Sequence, residues 1–208
     1  MSRPFSFVGG AGLRRMAKEA FTLRRQVGLS ARRRNPLALV QSALVFIFPA
    51  LVIVAGLKDL TSYTIPNWIS LALIAAFAPA AFLLGLPLET VGLCAAVGVG
   101  ALLVGMLMFA LGWIGGGDAK LFAASALWLG WPAALPFLLI TCVMGGALAV
   151  ALLMLRSNQV QAFVPSSPRW LFRLATKGEN VPYGVAIAVG ALAAFQASAV
   201  GVAFTSLF

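Results

Sequence analysis

Two aspartates are the residues whose type and placement could do chemistry. The chain has five acidic residues among 208, and only Asp59 and Asp118 are aspartates. Each stands at the end of an apolar stretch, and two further apolar stretches lie between them. If both of those stretches cross a membrane, the two carboxyl groups emerge on the same side and can meet. Two carboxyl groups at contact distance can hold one proton between them, which gives an acid and a base to activate water.

Other catalytic chemistries lack their residues. The chain has no histidine, and its two cysteines, Cys94 and Cys142, stand apart within apolar runs. Ser-His-Asp and Cys-His catalysis, a thiol-rich zinc site and a CxxC redox pair are therefore excluded. We predict that both cysteines pack in the core. A carboxyl pair requires neither a metal nor a cofactor, and the sequence predicts none.

The residues next to each aspartate favour a catalytic interpretation. Glycines 115–117 precede Asp118, and we expect them to allow positive φ, a sharp turn and the close approach of an extended peptide. Asp59 is followed by the Ile-Pro-Asn of 65–67, where proline separates two spans. The simpler interpretation is that Asp118 caps a helix and Asp59 is a juxtamembrane charge. Taken together the two features favour catalysis, because ionisable groups at membrane depth are costly.

The composition is that of an integral membrane protein, with 62% hydrophobic and 10% charged residues. Because lipid accepts only spanning helices or closed barrels, long apolar runs predict an all-α, polytopic membrane helix bundle of about six transmembrane helices. The fourth run is short, so we expect it to begin inside the protein or to include Gly116 and Gly117. The six runs are 37–57, 67–86, 90–112, 119–131, 133–155 and 183–206.

Small and aromatic residues refine this bundle. Gly98, Gly105 and Gly112 recur at seven-residue spacing, which predicts a face where a neighbouring helix packs closely. The five tryptophans stand near predicted span ends or loops, which is typical of anchors at the membrane interface. They are Trp68, Trp113, Trp128, Trp131 and Trp170.

Basic residues are concentrated in two polar regions. Residues 1–36 carry nine of the fifteen Lys and Arg, and form a tail that is either an amphipathic helix on an anionic leaflet or a solvated arm. Residues 37–208 are predicted to form the membrane domain, with a basic cytoplasmic loop at 156–182. Nucleic-acid binding is not expected of a chain otherwise buried in lipid.

Three segments resemble the motif regions of the type IV prepilin peptidases. They are Asp59 with 64–67, then 115–121, which matches the GxGD signature, and 181–187. The resemblance covers about residues 40–206 and implies that Asp59 and Asp118 are the catalytic pair, acting on the cytoplasmic side upon a leader peptide that ends in glycine. The other residues predicted to shape the site are Pro66, Asn67, Gly115, Gly117, Lys120, Pro182, Tyr183 and Gly184. Of these, Lys120 either tunes the charge of the pair or extends to the headgroups, and Pro182 bends the chain.

The chain resembles the short Flp/Tad branch of this family, since it lacks the cysteine-rich domain of the larger members that also methylate their product. This resemblance implies cleavage of small pilins and pilin-like precursors without N-methylation, for pilus assembly or secretion. It also implies a multi-pass protein of the bacterial inner membrane. The expected partners are the precursor, the lipid bilayer and the pilus or secretion machinery.

Other functions remain open from the residues. The chain could be a small transporter or a non-catalytic assembly subunit, with the aspartates binding protons or a cation. A GxGD protease that cuts within a substrate's span is disfavoured by the missing YD motif around Asp59. A Ser-Lys peptidase using Lys58 and Ser62, at i and i+4, is the weakest alternative.

The basic tail conflicts with the predicted orientation. If Asp59 is cytoplasmic and the first span crosses once, residues 1–36 lie outside, against the positive-inside rule. Either translation begins downstream of residue 1, or the first segment does not cross simply. Mass spectrometry of the native N-terminus distinguishes the two, because a protein that retains residues 2–34 eliminates the first explanation.

Overall fold

The described part of the chain is helical. The computed structural model describes residues 18, 19, 21, 36–157, 169–176 and 178–206, and these contain no β-strand. The predicted all-α fold class is therefore confirmed. The helices are α1 (Pro36–Ser62), α2 (Asn67–Leu83), α3 (Leu88–Ala110), α4 (Gly116–Leu155), α5 (Arg169–Ala175), α6 (Tyr183–Ala194) and α7 (Ala199–Thr205), with a 3-10 turn at Phe195–Ala197.

Several helices are suited to crossing a membrane. Among the described residues, α1, α3 and α4 are long and apolar enough by themselves. The segment from α6 to α7 adds a fourth span if its 49° bend lies within one crossing, and α2, at 17 residues, is shorter. The bend falls at Ser198, whose extended backbone begins α7 and whose Oγ accepts the Gly201 N–H at 2.9 Å. The count of six spans stays a prediction.

A break divides α4 where the sequence predicts a boundary between its fourth and fifth apolar runs. Gly130 (φ 59°, ψ −169°) and Trp131 (φ −95°, ψ 135°) leave helical geometry, so α4 has a first part, 116–129, and a second part, 132–155. A Cβ at Gly130 would lie 2.5 Å from the Cys94 Sγ. Cys94 is buried, as predicted, but Cys142 is exposed, so its predicted core role is wrong.

The core is built around Trp128. This side chain is fully buried, stacks with Phe48 at 5.3 Å between ring centroids and meets Phe77 edge-on at 5.9 Å. Its indole N–H donates to the Leu73 carbonyl at 2.8 Å, which satisfies the one polar group of the ring. The predicted interfacial position is therefore wrong for Trp128, because the apolar run 119–131, near whose end it lies, stops at a break inside the bundle.

Close packing of α3 on α4 fixes where α4 begins. A Cβ at Gly98 would lie 3.0 Å from the Leu127 Cβ, and one at Gly105 would lie 3.1 Å from the Ala119 Cβ. The predicted glycine face is therefore real at these two positions. Gly112 instead lies in the turn after α3, at φ 74°. Because Ala119 contacts α3 directly, the residue before it, Asp118, has a fixed position.

The N-terminal tail belongs to a separate compact unit, Met1–Val40, whereas Gln41–Phe208 forms the other. Residues 18, 19 and 21 are helical. Pro36 begins α1, and the rest of the predicted tail lies outside the described residues, as do residues 158–168 and 177 of the predicted loop. The predictions of an amphipathic helix or a solvated arm therefore stay predictions.

Candidate active site

Four helix ends meet around a polar pocket. The end of α1, the starts of α2 and α4 and the start of α6 lie together at one end of the bundle. The pocket has a volume of about 260 Å³. Asp59 and Asp118 both line it, although their side chains are only 4% and 8% exposed. The other lining residues are Tyr63, Thr64, Ile65, Asn67 and the glycines 115–117.

Asp118 uses its two oxygens differently. The residue is at position N3 of α4, and its Oδ2 accepts the Gly115 backbone N–H at 3.2 Å. This is half of a capping box, since glycine has no side chain to complete it. The Oδ1 is buried and has no hydrogen-bond partner among the residues described. The helix-capping interpretation therefore accounts for one oxygen and leaves the other available for chemistry.

A single backbone N–H joins the third motif region to the two aspartates. The Gly184 N–H, in the first turn of α6, donates to the Asp59 Oδ2 at 2.7 Å. Asp118 lines the same polar pocket as Asp59, so the start of α6 lies beside the site that holds both carboxyl groups. The positive end of the α6 dipole points in the same direction, which favours negative charge there. The arrangement brings Asp59, Asp118 and Gly184 into one site.

Glycine is required here for close approach. A Cβ at Gly184 would lie 2.8 Å from the Asp59 Oδ2, and one at Gly117 would lie 3.1 Å from the Ile65 Cβ. The expected positive φ in the run before Asp118 is wrong: Gly115 has φ −73°, and no glycine of 115–117 has a positive φ. The sharp turn is made earlier, at Gly112, so the run serves helix packing.

Lys120 and Asn67 link two of the helix starts. The Lys120 Nζ donates to the Asn67 Oδ1 at 2.9 Å, and both side chains are exposed. Asn67 lines the polar pocket, whereas Lys120 does not. Pro66 precedes α2 at φ −62° and ends the connection from α1, as its sequence position predicts. This pair therefore holds α2 to α4 at the mouth of the site.

Pro182 and Tyr183 lie behind the site. Pro182 is buried and precedes α6 at φ −75°, which is the predicted turn. The Tyr183 ring packs on α4, since a Cβ at Gly145 would lie 3.2 Å from its Cε1. Neither residue lines the polar pocket.

The Ser-Lys alternative gains no support from the structure. The Ser62 Oγ donates to the backbone carbonyl of Lys58 at 2.7 Å. The hydroxyl therefore bonds to the helix backbone and not to the lysine ammonium.

Tyr63 is a pocket residue that the sequence analysis did not single out. It follows α1 in the left-handed region, at φ 56°, and the Arg173 guanidinium carbon lies 4.8 Å from its ring centroid. Burial raises the pKa of the Tyr63 phenol above its ordinary value, against the opposing charges of Arg156 and Arg173. The phenol therefore stays protonated at neutral pH and can donate a hydrogen bond. The sequence signal that could have identified Tyr63 is its position between Asp59 and the motif residues 64–67.

Arg156 is a second residue that the sequence analysis did not single out. It binds the segment that leads to α6. Its Nε donates to the Leu174 carbonyl at 2.9 Å, its Nη1 to the Glu179 carbonyl at 2.7 Å and its Nη2 to the Asn180 carbonyl at 3.0 Å. The acceptors are backbone oxygens, which have no signature in a sequence. Arg156 therefore fixes the segment just before Pro182 and Gly184.

Comparison with known proteins identifies the family of the chain. A model of the type IV leader peptidase family matches residues 46–150, just over half of the chain. The match includes Asp59 and Asp118 and stops before the segment 181–187. No curated protein and no solved structure matches the chain. The chain therefore belongs to the type IV leader peptidase family, whose members are peptidases of the aspartic type, and its apolar helices make it a membrane protein.

Proposed function

We propose that this protein is a membrane aspartyl endopeptidase that removes the leader of prepilin or pilin-like precursors after a glycine. Asp59 and Asp118 are the catalytic pair in this proposal. One observation carries it: the only two aspartates of the chain, on different helices, line the same polar pocket beside one backbone N–H. Family membership supports the peptide substrate.

The two carboxyl groups supply the chemistry together. One carboxylate removes a proton from a water molecule held between the pair, and the water oxygen attacks the scissile carbonyl carbon. The other carboxyl, in its acid form, donates a proton to the carbonyl oxygen, and proton transfer to the amine then releases the leader. The Asp118 Oδ1, without a partner among the residues described, is free to contact the water or the substrate.

The charge distribution supports a cytoplasmic site. Lys58, Lys120, Arg156 and Arg173 all lie near the helix ends that surround the polar pocket. In the described part of Gln41–Phe208, Glu89 is the charged residue at the opposite helix ends. Cytoplasmic ends of membrane proteins carry the excess of Lys and Arg. On the sequence resemblance, we also propose that the protein lies in the bacterial inner membrane and cleaves small pilins. We propose further that it does not N-methylate its product.

Cleavage of a co-reconstituted pilin precursor tests the proposal. We expect wild type to cut after the leader glycine, and Asp59→Asn and Asp118→Asn each to lose on the order of 10³-fold in rate. The matched control is Glu89→Gln, which makes the same carboxyl-to-amide change at an exposed residue of α3 and should cut at the wild-type rate.

Loss of folding does not explain the expected result for Asp118→Asn. The asparagine side chain keeps an oxygen that accepts the Gly115 N–H, so the start of α4 remains capped. If either asparagine variant cuts at a normal rate, the aspartyl mechanism is wrong. The chain would then be considered a transporter or an assembly subunit that retains the family's fold.

A further inference from the structure

A second cavity adjoins the catalytic pair. It is a groove of about 360 Å³ that shares Asp118 with the polar pocket. We call it the Cys142 groove, after the exposed thiol in its wall. Met108 of α3, Phe122 of α4 and Ile187 of α6 are among the apolar side chains that line it. The groove therefore lies between three helices and has a catalytic carboxyl at its polar end.

The groove extends from the polar pocket toward the middle of the bundle. Asp118 stands in the first turn of α4, whereas Ile187 is one turn into α6 and Cys142 is more than three turns before α4 ends at Leu155. The three lining helices carry exposed apolar side chains at this depth, including Leu107 and Val143, as lipid-facing helices do. A peptide that passes from the polar pocket into the groove therefore passes from polar to apolar surroundings.

We propose that the Cys142 groove binds the segment of the precursor that follows the scissile bond, and that this segment is apolar like the groove. This inference rests on the proposed function, in which the leader lies on the cytoplasmic side and therefore leaves the carboxyl pair through the polar pocket. A precursor whose scissile bond lies at the carboxyl pair extends from the pair in two directions. The Cys142 groove is an apolar cavity that contains Asp118, so it can hold the precursor on one of these two sides. A larger groove of about 580 Å³, lined by Asn67 and Lys120, contains neither aspartate.

Disulfide cross-linking tests this placement. In an Asp59→Asn background, which prevents cleavage, precursors carrying one cysteine at successive positions after the scissile glycine are oxidised with iodine. We expect a disulfide to Cys142 at one or more of these positions, and none when Cys142 is changed to serine. Cys94 is buried and does not compete. As the matched control, Val99→Cys with Cys142→Ser moves the exposed thiol to the larger groove and should give no cross-link.

Filling the groove tests its use in catalysis. Gly146 lines the groove, and a Cβ there meets no atom within 4 Å, so Gly146→Leu can fill the space without moving the backbone. We expect cleavage by Gly146→Leu to fall on the order of tenfold, because the precursor is displaced from the carboxyl pair. Gly100→Leu is the control: it is also an exposed helical glycine with no atom within 4 Å, and it should cut at the wild-type rate.

The outcomes separate this inference from the proposed function. If wild type cuts the precursor but Gly146→Leu cuts as fast as Gly100→Leu and no cross-link to Cys142 forms, the groove holds lipid and the inference is overturned. A cross-link to Val99→Cys that matches or exceeds the one to Cys142 overturns it as well. A wild-type protein that cuts no precursor overturns the proposed function and, with it, the assigned occupant of the groove.

Discussion

The two carboxyl groups are oriented by backbone N–H groups. Gly184 donates to Asp59 and Gly115 donates to Asp118, and in both cases the acceptor is Oδ2. Backbone donors have fixed directions and do not titrate, so they hold the carboxyl groups in place throughout a reaction. The Asp118 Oδ1 has no such donor among the residues described. At the scale of single residues, each carboxyl group is therefore held by one backbone N–H at its Oδ2, and our proposal assigns the Asp118 Oδ1 to the water or the substrate.

Gly184→Ala tests whether this close contact matters. The added Cβ would lie 2.8 Å from the Asp59 Oδ2 and 2.9 Å from the Asp59 Cβ, so α6 or Asp59 has to move. We expect the cleavage rate to fall on the order of 100-fold, because displacement of a catalytic group by about 1 Å has effects of this size. The rate is measured on the reconstituted protein with the same precursor.

Gly92→Ala is the control for Gly184→Ala. It adds the same methyl group to a helical glycine that has no atom within 4 Å, and it should leave the rate and the yield of inserted protein unchanged. A Gly184→Ala protein that inserts normally and cuts as fast as Gly92→Ala would contradict the proposed role of the Gly184 N–H.

At the scale of helices, the sequence predicts which segments lie together. It predicts less well which contacts hold these segments in place. Because two apolar runs separate Asp59 from Asp118, both fall at the same end of the bundle, and the segment 181–187 begins the last apolar run beside them. The sequence predicts a boundary near the break at Gly130 but not that this break lies inside the bundle, so Trp128 is predicted at an interface and is found in the core. Backbone carbonyl acceptors likewise cannot be recognised in a sequence. The contacts of Arg156 were therefore not predicted.

Arg156→Lys tests how the segment before α6 is fixed. Lysine keeps the charge but replaces a planar guanidinium, which reaches three carbonyls here, with one ammonium on a flexible stem. A buried carbonyl left without a donor costs about 1–3 kcal/mol, which applies in part to the partly buried contacts with Leu174 and Glu179, whereas the exposed Asn180 carbonyl can bond to water. We expect a roughly tenfold lower cleavage rate, since the Gly184 N–H is less well positioned, and faster proteolysis within 174–182.

Arg173→Lys is the comparison for Arg156→Lys. Arg173 makes an exposed ion pair with Glu179 at 3.2 Å, and such pairs contribute about 0–1 kcal/mol. Its other contact is with the Tyr63 ring, where a lysine ammonium can replace the guanidinium as the cation. Its substitution should therefore change the rate and the proteolysis much less. Equal effects of the two substitutions would mean that the three carbonyl contacts of Arg156 have no special role in positioning α6.

At the scale of the whole molecule, the bundle has one charged end and one nearly uncharged end. Lys58, Lys120, Arg156 and Arg173 lie near the helix ends that surround the polar pocket. Glu89 lies in the first turn of α3, about 32 Å from its other end at 1.5 Å per residue. Under the positive-inside rule we expect the carboxyl pair at this basic end to face the cytoplasm. The orientation is therefore open to a direct test with single cysteines at the two ends.

Labelling with a membrane-impermeant maleimide measures the orientation. In a Cys142→Ser background, Ser62→Cys places an exposed thiol at the polar-pocket end and Glu89→Cys places one at the other end, while Cys94 is buried. We expect Glu89→Cys to react in intact cells and Ser62→Cys to react only in permeabilised cells or inside-out vesicles, because the reagent stays in water. Both variants should still cut the precursor, which confirms that they are folded. The reverse labelling pattern would place the carboxyl pair on the outer face, where a leader on the cytoplasmic side could not reach it, and the proposed substrate would be wrong even if both aspartates are required for cleavage.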